Sequence, residues 1–301
     1  MRDLPIGHPS RLASLKWHGV VLHRPGRFAW CQKMKLLLLT LLLIPGILHA
    51  KERMEMGFVL TWGPIELAKL HYAMSWDQER YEISGHGNTT GLVGAMVDWG
   101  GQAMTRGYVD ASGMLVPLRH SHEGVLGDSR RGADATYRDR QVVTWSVSPS
   151  HDELEQTPLP TGLIDGVIDP LTFIGRLILG QARDRNCSLS EKLFDGRRLS
   201  TIQFVAGDEE GCSLKSQRLG GFTKKYGSDP RGRLTGVALS QVGDLYLPKG
   251  FKLEAPIGVV RAERFYLKRN GQFIERDDRE RPQADKTGLS LANSKDTWSA
   301  N

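Results

Sequence analysis

The sequence predicts a mainly β fold with one central helix, and three observations carry that expectation. Apolar and polar residues alternate along short runs, turn-forming Gly and Asp clusters separate those runs, and one segment in the middle has helical periodicity instead. From residue 51 onward about 250 residues follow with no low-complexity linker, enough for one large β domain or two small ones.

The elements follow in order. Ala68, Leu70, Tyr72 and Met74 alternate with Lys69, His71 and Ala73, and Tyr81 and Ile83 alternate with Glu82 and Ser84, as half-buried strands do. Thr105 to Val109 and Met114 to Leu118 flank the turn Asp110-Ala111-Ser112-Gly113 and predict a hairpin. Tyr137 to Val147, rich in Thr, Val, Trp and Tyr, supplies another strand. Ser148 to Pro160 holds Pro149, Pro158, Pro160 and several acids, and reads as an exposed loop. It would join two β-rich halves of one domain spanning 51–270, with the junction near 148–168.

The central helix has a start signal. Asp169 is a good N-cap, and Pro170 suits the first helical position, where its missing N–H costs nothing. Leu171, Ile174 and Ile178 then recur at helical spacing, widened by Phe173 and Leu177, so a helix is expected from Asp169 to Arg183. Arg198 to Ala206 and Cys212 to Leu219 form a second hairpin around Gly207 to Gly211, and Leu234 to Leu239, Phe251 to Ala255 and Val259 to Leu267 are further strands. Residues 271–301 turn polar and are expected to be a disordered, charged tail.

The first 50 residues predict export. Met34-Lys35, the apolar run Leu36 to Leu48 with Pro45-Gly46 near its end, and Ala50 have the parts of a secretory signal peptide, with cleavage near Ala50. An uncleaved anchor is the alternative, but spanning a bilayer takes about 20 apolar residues. This run stops at His49 and Lys51-Glu52-Arg53, and Lys33 and Lys35 bound it upstream. Residues 1–33 lack periodicity and read as upstream sequence before a true start at Met34, or as a long leader. The expected location is the periplasm.

This division reassigns the charge. The whole chain carries +6, yet residues 1–50 hold seven Lys/Arg against Asp3, which leaves 33 basic and 33 acidic residues in 51–301. A neutral mature chain gives no reason to expect nucleic acid as a partner. Cys31 falls in the leader, so Cys187 and Cys212 remain, and an oxidising compartment predicts one disulfide between them. Closing that loop would stabilise the fold by roughly 3.5 kcal/mol in the chain-entropy picture.

Motifs for chemistry are sparse. His120 and His122 share one face of a strand and could meet one ion with His71, His86 or His151, but two ligands are not a site and His-Glu-x-x-His is missing. A solvated strand face is the expected reading of both. Phe194-Asp195-Gly196-Arg197 predicts a tight turn in which Asp195 bonds its own backbone and Gly196 takes positive φ. Arg197 and Arg198 there are the possible contacts for an anionic headgroup. Gly91-Leu92-Val93-Gly94 lacks the Gly-Lys-Ser/Thr ending of a phosphate loop, and no Ser sits in Gly-x-Ser-x-Gly. No cofactor motif is present.

Taken together, Ile168-Asp169-Pro170-Leu171, Cys187, Phe194-Asp195-Gly196-Arg197-Arg198, Cys212 and Gly220-Gly221-Phe222 resemble the bacterial exported family catalogued as domain of unknown function 3108. Thr90-Gly91-Leu92-Val93-Gly94 and Leu247-Pro248 fit the same pattern, while Gly243-Asp244-Leu245 stands where the family commonly has a Trp. The resemblance spans roughly residues 60–268. It implies a curved antiparallel sheet or open barrel, similar to β-spiral envelope proteins, and implies no catalytic residues.

The functional expectation is therefore a non-enzymatic protein of the cell envelope. The first reading is an apolar or lipid-like ligand held between the curved sheet and the helix from Asp169. The alternative is a scaffold that binds envelope proteins through strand edges or the tail, and a metal-dependent hydrolase ranks below both.

Overall fold

This computed structural model describes residues 51–160, 164–181, 189–206, 211–223, 233–243, 245–255 and 258–277. The first half holds β1 Glu52–Trp62, β2 Ile65–Trp76, β3 Arg80–Thr89, a short helix α1 Gly91–Met96, β4 Trp99–Val109, β5 Leu115–Leu126, β6 Ser129–Arg138 and β7 Gln141–Ser148. The second holds β8 Val167–Ile168, α2 Pro170–Arg176 continued by a π-turn Leu177–Gln181, β9 Ser190–Phe194, β10 Leu199–Ala206, β11 Gly211–Gly220, β12 Arg233–Val242, β13 Leu245–Ala255, β14 Gly258–Arg269 and β15 Gln272–Arg276. The strands hydrogen-bond in the order β7-β6-β5-β4-β3-β2-β1-β14-β13-β12-β11-β10-β9-β8, with β15 added on β14. All pairs are antiparallel except β8 with β9.

Most joints are hairpins, so neighbours in sequence are neighbours in the sheet, and β1 on β14 joins the two halves. The path nearly closes into a barrel. Its ends, β7 and β8, are tied where the Val142 N–H donates to the Ile164 carbonyl and the Val167 N–H to that of Arg140, both at 2.9 Å. Side chains fill this seam. Ala135, Tyr137, Val142, Ile164, Val167, Phe194 and Leu199 pack together, and the Tyr137 hydroxyl donates to the Phe194 carbonyl.

The alternation of residues decides what lies inside. Met54, Met56 and Phe58 of β1, Tyr72 and Met74 of β2, and Tyr81 and Ile83 of β3 point into the barrel, against Leu171 and Ile178 of the central helical segment. Each such side chain contributes about 1.5–3 kcal/mol on burial. Phe173 turns the other way, onto Ile168, Leu193, Phe204, Leu214 and Val237 of the second half. Apolar inside with Lys69, Glu82 and His86 outside is the reverse of an outer-membrane barrel, whose lipid-facing side is the apolar one.

Two glycines permit close approaches. A Cβ on Gly175 would lie 2.7 Å from both the Ile83 and Leu115 methyls, so a larger residue there would require those side chains to shift between α2 and strands β3 and β5. A Cβ on Gly57, at the bulge between β1 and β14, would run into the ring of Tyr266, which lies flat on the outer wall there.

Five expectations change. β1 was not foreseen, and a second helix, α1, joins the central one. Tyr137 to Val147 is not one strand but parts of β6 and β7, turned at Asp139 and Arg140 with φ of 50° and 66°. Gln272–Arg276, expected within a disordered tail from 271, pairs with β14 instead, and residues 278–301 lie outside the described residues. The helix keeps α geometry only to Arg176 before its π-turn, and Arg183 lies outside the described residues.

Candidate functional site

At the centre of the barrel Asp169 caps α2, its Oδ1 accepting from the backbone N–H groups of Leu171 at 2.9 Å and Thr172 at 3.0 Å. It is fully buried, yet it receives more than the cap. The Thr105 hydroxyl donates to Oδ1 at 2.6 Å, and the Thr172 hydroxyl donates to Oδ2. Each hydroxyl has a single proton, which fixes the directions around it. Thr105 must accept from His120 Nδ1 at 2.8 Å, and Thr172 must accept from the Tyr81 hydroxyl at 2.7 Å. His120 Nδ1 also lies 3.3 Å from Oδ1.

Burial alone would raise the Asp169 carboxyl. The neighbouring His120 ring and the Thr105 and Thr172 hydroxyls outweigh that and hold it below the ordinary carboxylate range. Burial and the Asp169 charge push the phenols of Tyr72 and Tyr81 upward, and the same two causes raise Tyr137. Four donors converge on the carboxylate, three on Oδ1 and one on Oδ2. This knot fixes α2 in the barrel.

A second polar group locks the far end of α2. Arg176 donates through Nε and Nη2 to the Leu115 carbonyl, at 2.9 and 2.7 Å, and pairs through Nη1 with Glu191. Arg140 pairs with the other Glu191 oxygen at 2.6 Å. The chain of contacts runs from β5 through α2 and β9 to the seam.

The residues singled out in the sequence divide between structural positions. His120 is not on a solvated face; it is buried within the knot, because Thr105 and Asp169 give its ring polar partners inside the barrel. His122, 5.7 Å away between ring centroids, is half-buried, and burial pushes its imidazole down against the pull of Asp195. Among the described residues no three His, Cys, Asp or Glu groups are arranged to hold a metal. Asp195 Oδ1 accepts from the Arg197 N–H at 2.8 Å and from the Arg198 N–H, around Gly196 at φ 90°.

Arg197 is buried rather than presented to a headgroup. It donates to the carbonyls of Gly132 at 3.1 Å and Pro149 at 2.8 Å and to the Gln156 amide oxygen at 3.1 Å, which staples the β9–β10 turn to β6. Arg198 stays exposed, its guanidinium 5.9 Å from the Phe222 ring centre. Cys187 lies outside the described residues, as does the side chain of Cys212 on β11, and so do residues 34–50.

The surface feature that the sequence did not reveal is an apolar rim at one end of the barrel. Leu92 and Met96 of α1 are 82% and 85% exposed, and no residue of α1 is buried. Trp62 and Ile65 at the β1–β2 tip, Val97, Leu126 and Val259 are also exposed, and the backbone places them together. Thr90 donates its N–H to the Leu67 carbonyl and its hydroxyl to Glu66, which holds α1 beside the start of β2. Trp99 pairs with Leu126, and Gly258 sits next to the Trp62 indole.

Behind this rim the inner wall is thin. A Cβ on Gly101 or Gly124 would have only backbone atoms within 4 Å among the described residues. A shallow hollow there is lined by Gly100, Gly101, Glu123, Gly124, Val125 and Arg130.

On the outer wall His71 stacks on His86 across β2 and β3, with centroids 4.7 Å apart, and its Nδ1 faces the Tyr266 hydroxyl at 3.1 Å. Burial first, then His86, Lys69 and Lys268, push His71 down from 6.5 to about 4. The unfolded chain therefore binds a proton between those values that the folded chain resists, and the stability carried by neutral His71 is full above about 6.5 and lost as pH falls toward 4. We predict that urea titrations from pH 7 to 4 show His71→Gln losing about 1–2 kcal/mol less than the wild type, after allowing for solvent screening. Equal pH slopes would remove His71 from the account.

Three comparisons bear on this architecture. No curated protein matches the chain. A solved structure described as a β-barrel-like protein of domain of unknown function DUF1849 from Brucella abortus is similar over 72% of this chain and 97% of that chain, with 13% identity and a TM-score of 0.37. A family model described as "Protein of unknown function (DUF3108)" matches residues 58–216. That match runs from the inward-facing Phe58 of β1 through the Asp169 knot, the seam turn and most of β11, more than half of the sequence, so the chain belongs to the DUF3108 family.

Proposed function

We propose that the chain is an exported protein of the bacterial cell envelope that binds an apolar or lipid-like ligand without catalysis, and that it binds at the rim formed by α1, the β1–β2 tip and the start of β14. The observation that carries this reading is the exposure of Leu92 and Met96 on a helix made entirely of Gly, Leu, Val, Ala and Met. Contiguous exposed apolar residues mark binding surfaces. The packed interior around Leu171 and Ile178 supports binding at the mouth rather than within the barrel. Export rests on the leader-like residues 34–50, and the Cys187–Cys212 disulfide belongs to the same reading.

A scaffold for envelope proteins is the second reading. The exposed Val143 and Trp145 on β7, the last strand on its side of the sheet, favour it, since a strand edge can accept a strand from a partner. Native mass spectrometry with lipid extraction, on residues 51–301 from a periplasmic extract, separates the two. A retained lipid-sized adduct is expected; a bare mass together with crosslinked protein partners would favour the scaffold.

A further inference from the structure

We propose that the inner wall just below the rim takes an amphiphile with an anionic headgroup, its oxyanion held by Arg131 and Arg198 and its hydrocarbon laid over Gly124 and Gly101. This rests on the reading of the rim as an apolar binding surface, and it names the class of ligand.

Cross-strand partners lie side by side on one face of a sheet. Arg131 of β6 stands opposite Gly124 of β5, Gly124 opposite Gly101 of β4, and Gly101 opposite Gly87 of β3. This row faces inward, because it keeps the alternation of the buried Ala135, His120 and Thr105. Toward the rim the next row holds Leu126 and Trp99. Glycine inside a strand marks a place where a ligand or another backbone comes close. At Gly87 the space is taken by Leu70 and the Trp99 ring. Over Gly101 and Gly124 no side chain among the described residues comes within 4 Å of where a Cβ would sit. The wall there is a bare trough between the Trp99 ring and Arg131.

Charge sets the headgroup. Arg131 and Arg198 are exposed, and neither makes an ion pair among the described residues. A Cβ on Gly196 would lie 2.9 Å from that of Ala133, so the turn from Asp195 to Arg198 rests on the inner wall next to Arg131 on that face of β6. Behind them Arg197 is 2% exposed. Its donors go to the neutral Gly132 and Pro149 carbonyls and the Gln156 amide, and its Nε has no partner among the described residues. Burial first, and then the charges of Arg198 and Arg131, lower that guanidinium against the pull of Asp195. Asp195 already accepts from the Arg197 and Arg198 N–H groups. A buried charge that is not neutralised is costly, so an oxyanion beside Arg131 and Arg198 is favoured by all three arginines. Guanidinium groups grip such an anion through paired N–H donors.

The test compares dansyl-labelled undecanoic acid with its methyl ester, titrated at low salt into residues 51–301 as wild type, Arg131→Gln/Arg198→Gln, Gly101→Leu and Leu92→Glu/Met96→Glu. The wild type is expected to hold the acid at least about tenfold more tightly than the ester, and the arginine variant to lose that preference while keeping its affinity for the ester. Gly101→Leu, with its fold checked by circular dichroism, should weaken acid and ester alike, and Gly124→Val serves if that variant does not fold. Unchanged binding of both ligands to the folded glycine variant would take the hydrocarbon out of the trough. Equal wild-type affinities for acid and ester, or a preference that survives in the arginine variant, would overturn the headgroup assignment. The rim reading would still stand in that case if Leu92→Glu/Met96→Glu weakens both ligands. A wild type that binds neither ligand would overturn both readings.

Discussion

Replacing Asp169 by alanine is expected to cost the fold about 3–5 kcal/mol, because the substitution leaves buried donors facing nothing. The carboxylate receives the Leu171 and Thr172 N–H groups and the Thr105 and Thr172 hydroxyls, and Thr105 in turn receives His120. Loss of the helix cap alone accounts for about 1 kcal/mol. The remainder is the desolvation of groups that cannot reach water from inside the barrel. At about 2–4 °C per kcal/mol for a domain of this size, the melting temperature should fall by about 10 °C or more. Asp169→Asn makes the comparison sharper. Its amide keeps the shape and one acceptor but turns a donor toward hydroxyls that also donate, so it should recover only part of the loss. Thermal melts followed by circular dichroism check both, and an alanine variant within 1 kcal/mol of wild type would show that the knot does not hold α2.

The rim variant Leu92→Glu/Met96→Glu should behave in the opposite way. Both side chains are more than four-fifths exposed, so stability should stay within about 0.5 kcal/mol of wild type. Binding should suffer, since two carboxylates would have to be desolvated against an apolar ligand. At about 0.8 kcal/mol per buried CH₂, withdrawing even four methylenes of an acyl chain from contact weakens binding more than a hundredfold. Titration with a fluorescent fatty acid measures this, and unchanged affinity with an unchanged melting temperature would place the ligand elsewhere.

The contrast between these variants shows which parts of the molecule local sequence can express. The cap is a short-range device, and Asp169-Pro170 ahead of Leu171 and Ile174 is legible because its partners lie within three residues. The 105–118 hairpin is legible for the same reason, with Asp110 Oδ1 accepting from the Ser112 and Met114 N–H groups. The β6–β7 turn was hidden because Asp139 and Arg140 hold positive φ without the glycine that usually advertises it. In β1 the alternation of Met54, Met56 and Phe58 is masked because Val59 on the opposite face is apolar too, packed against Phe265 and Tyr266. Buried polar residues mislead most. His120 looks like a solvated strand histidine until the fold delivers Asp169 to it from 49 positions away, and Arg197 looks like a surface cation until β6 covers it. The rim was illegible because Gly91-Leu92-Val93-Gly94 resembles a loop, and its neighbours Trp62, Leu126 and Val259 come from distant strands.

The central claim is that an apolar ligand occupies the rim. Its most direct test is native mass spectrometry of residues 51–301 beside the Leu92→Glu/Met96→Glu variant, both from the same periplasmic preparation. The account predicts a lipid-sized adduct on the wild type that the variant lacks, with both proteins folded. An adduct of equal occupancy on the two would contradict it.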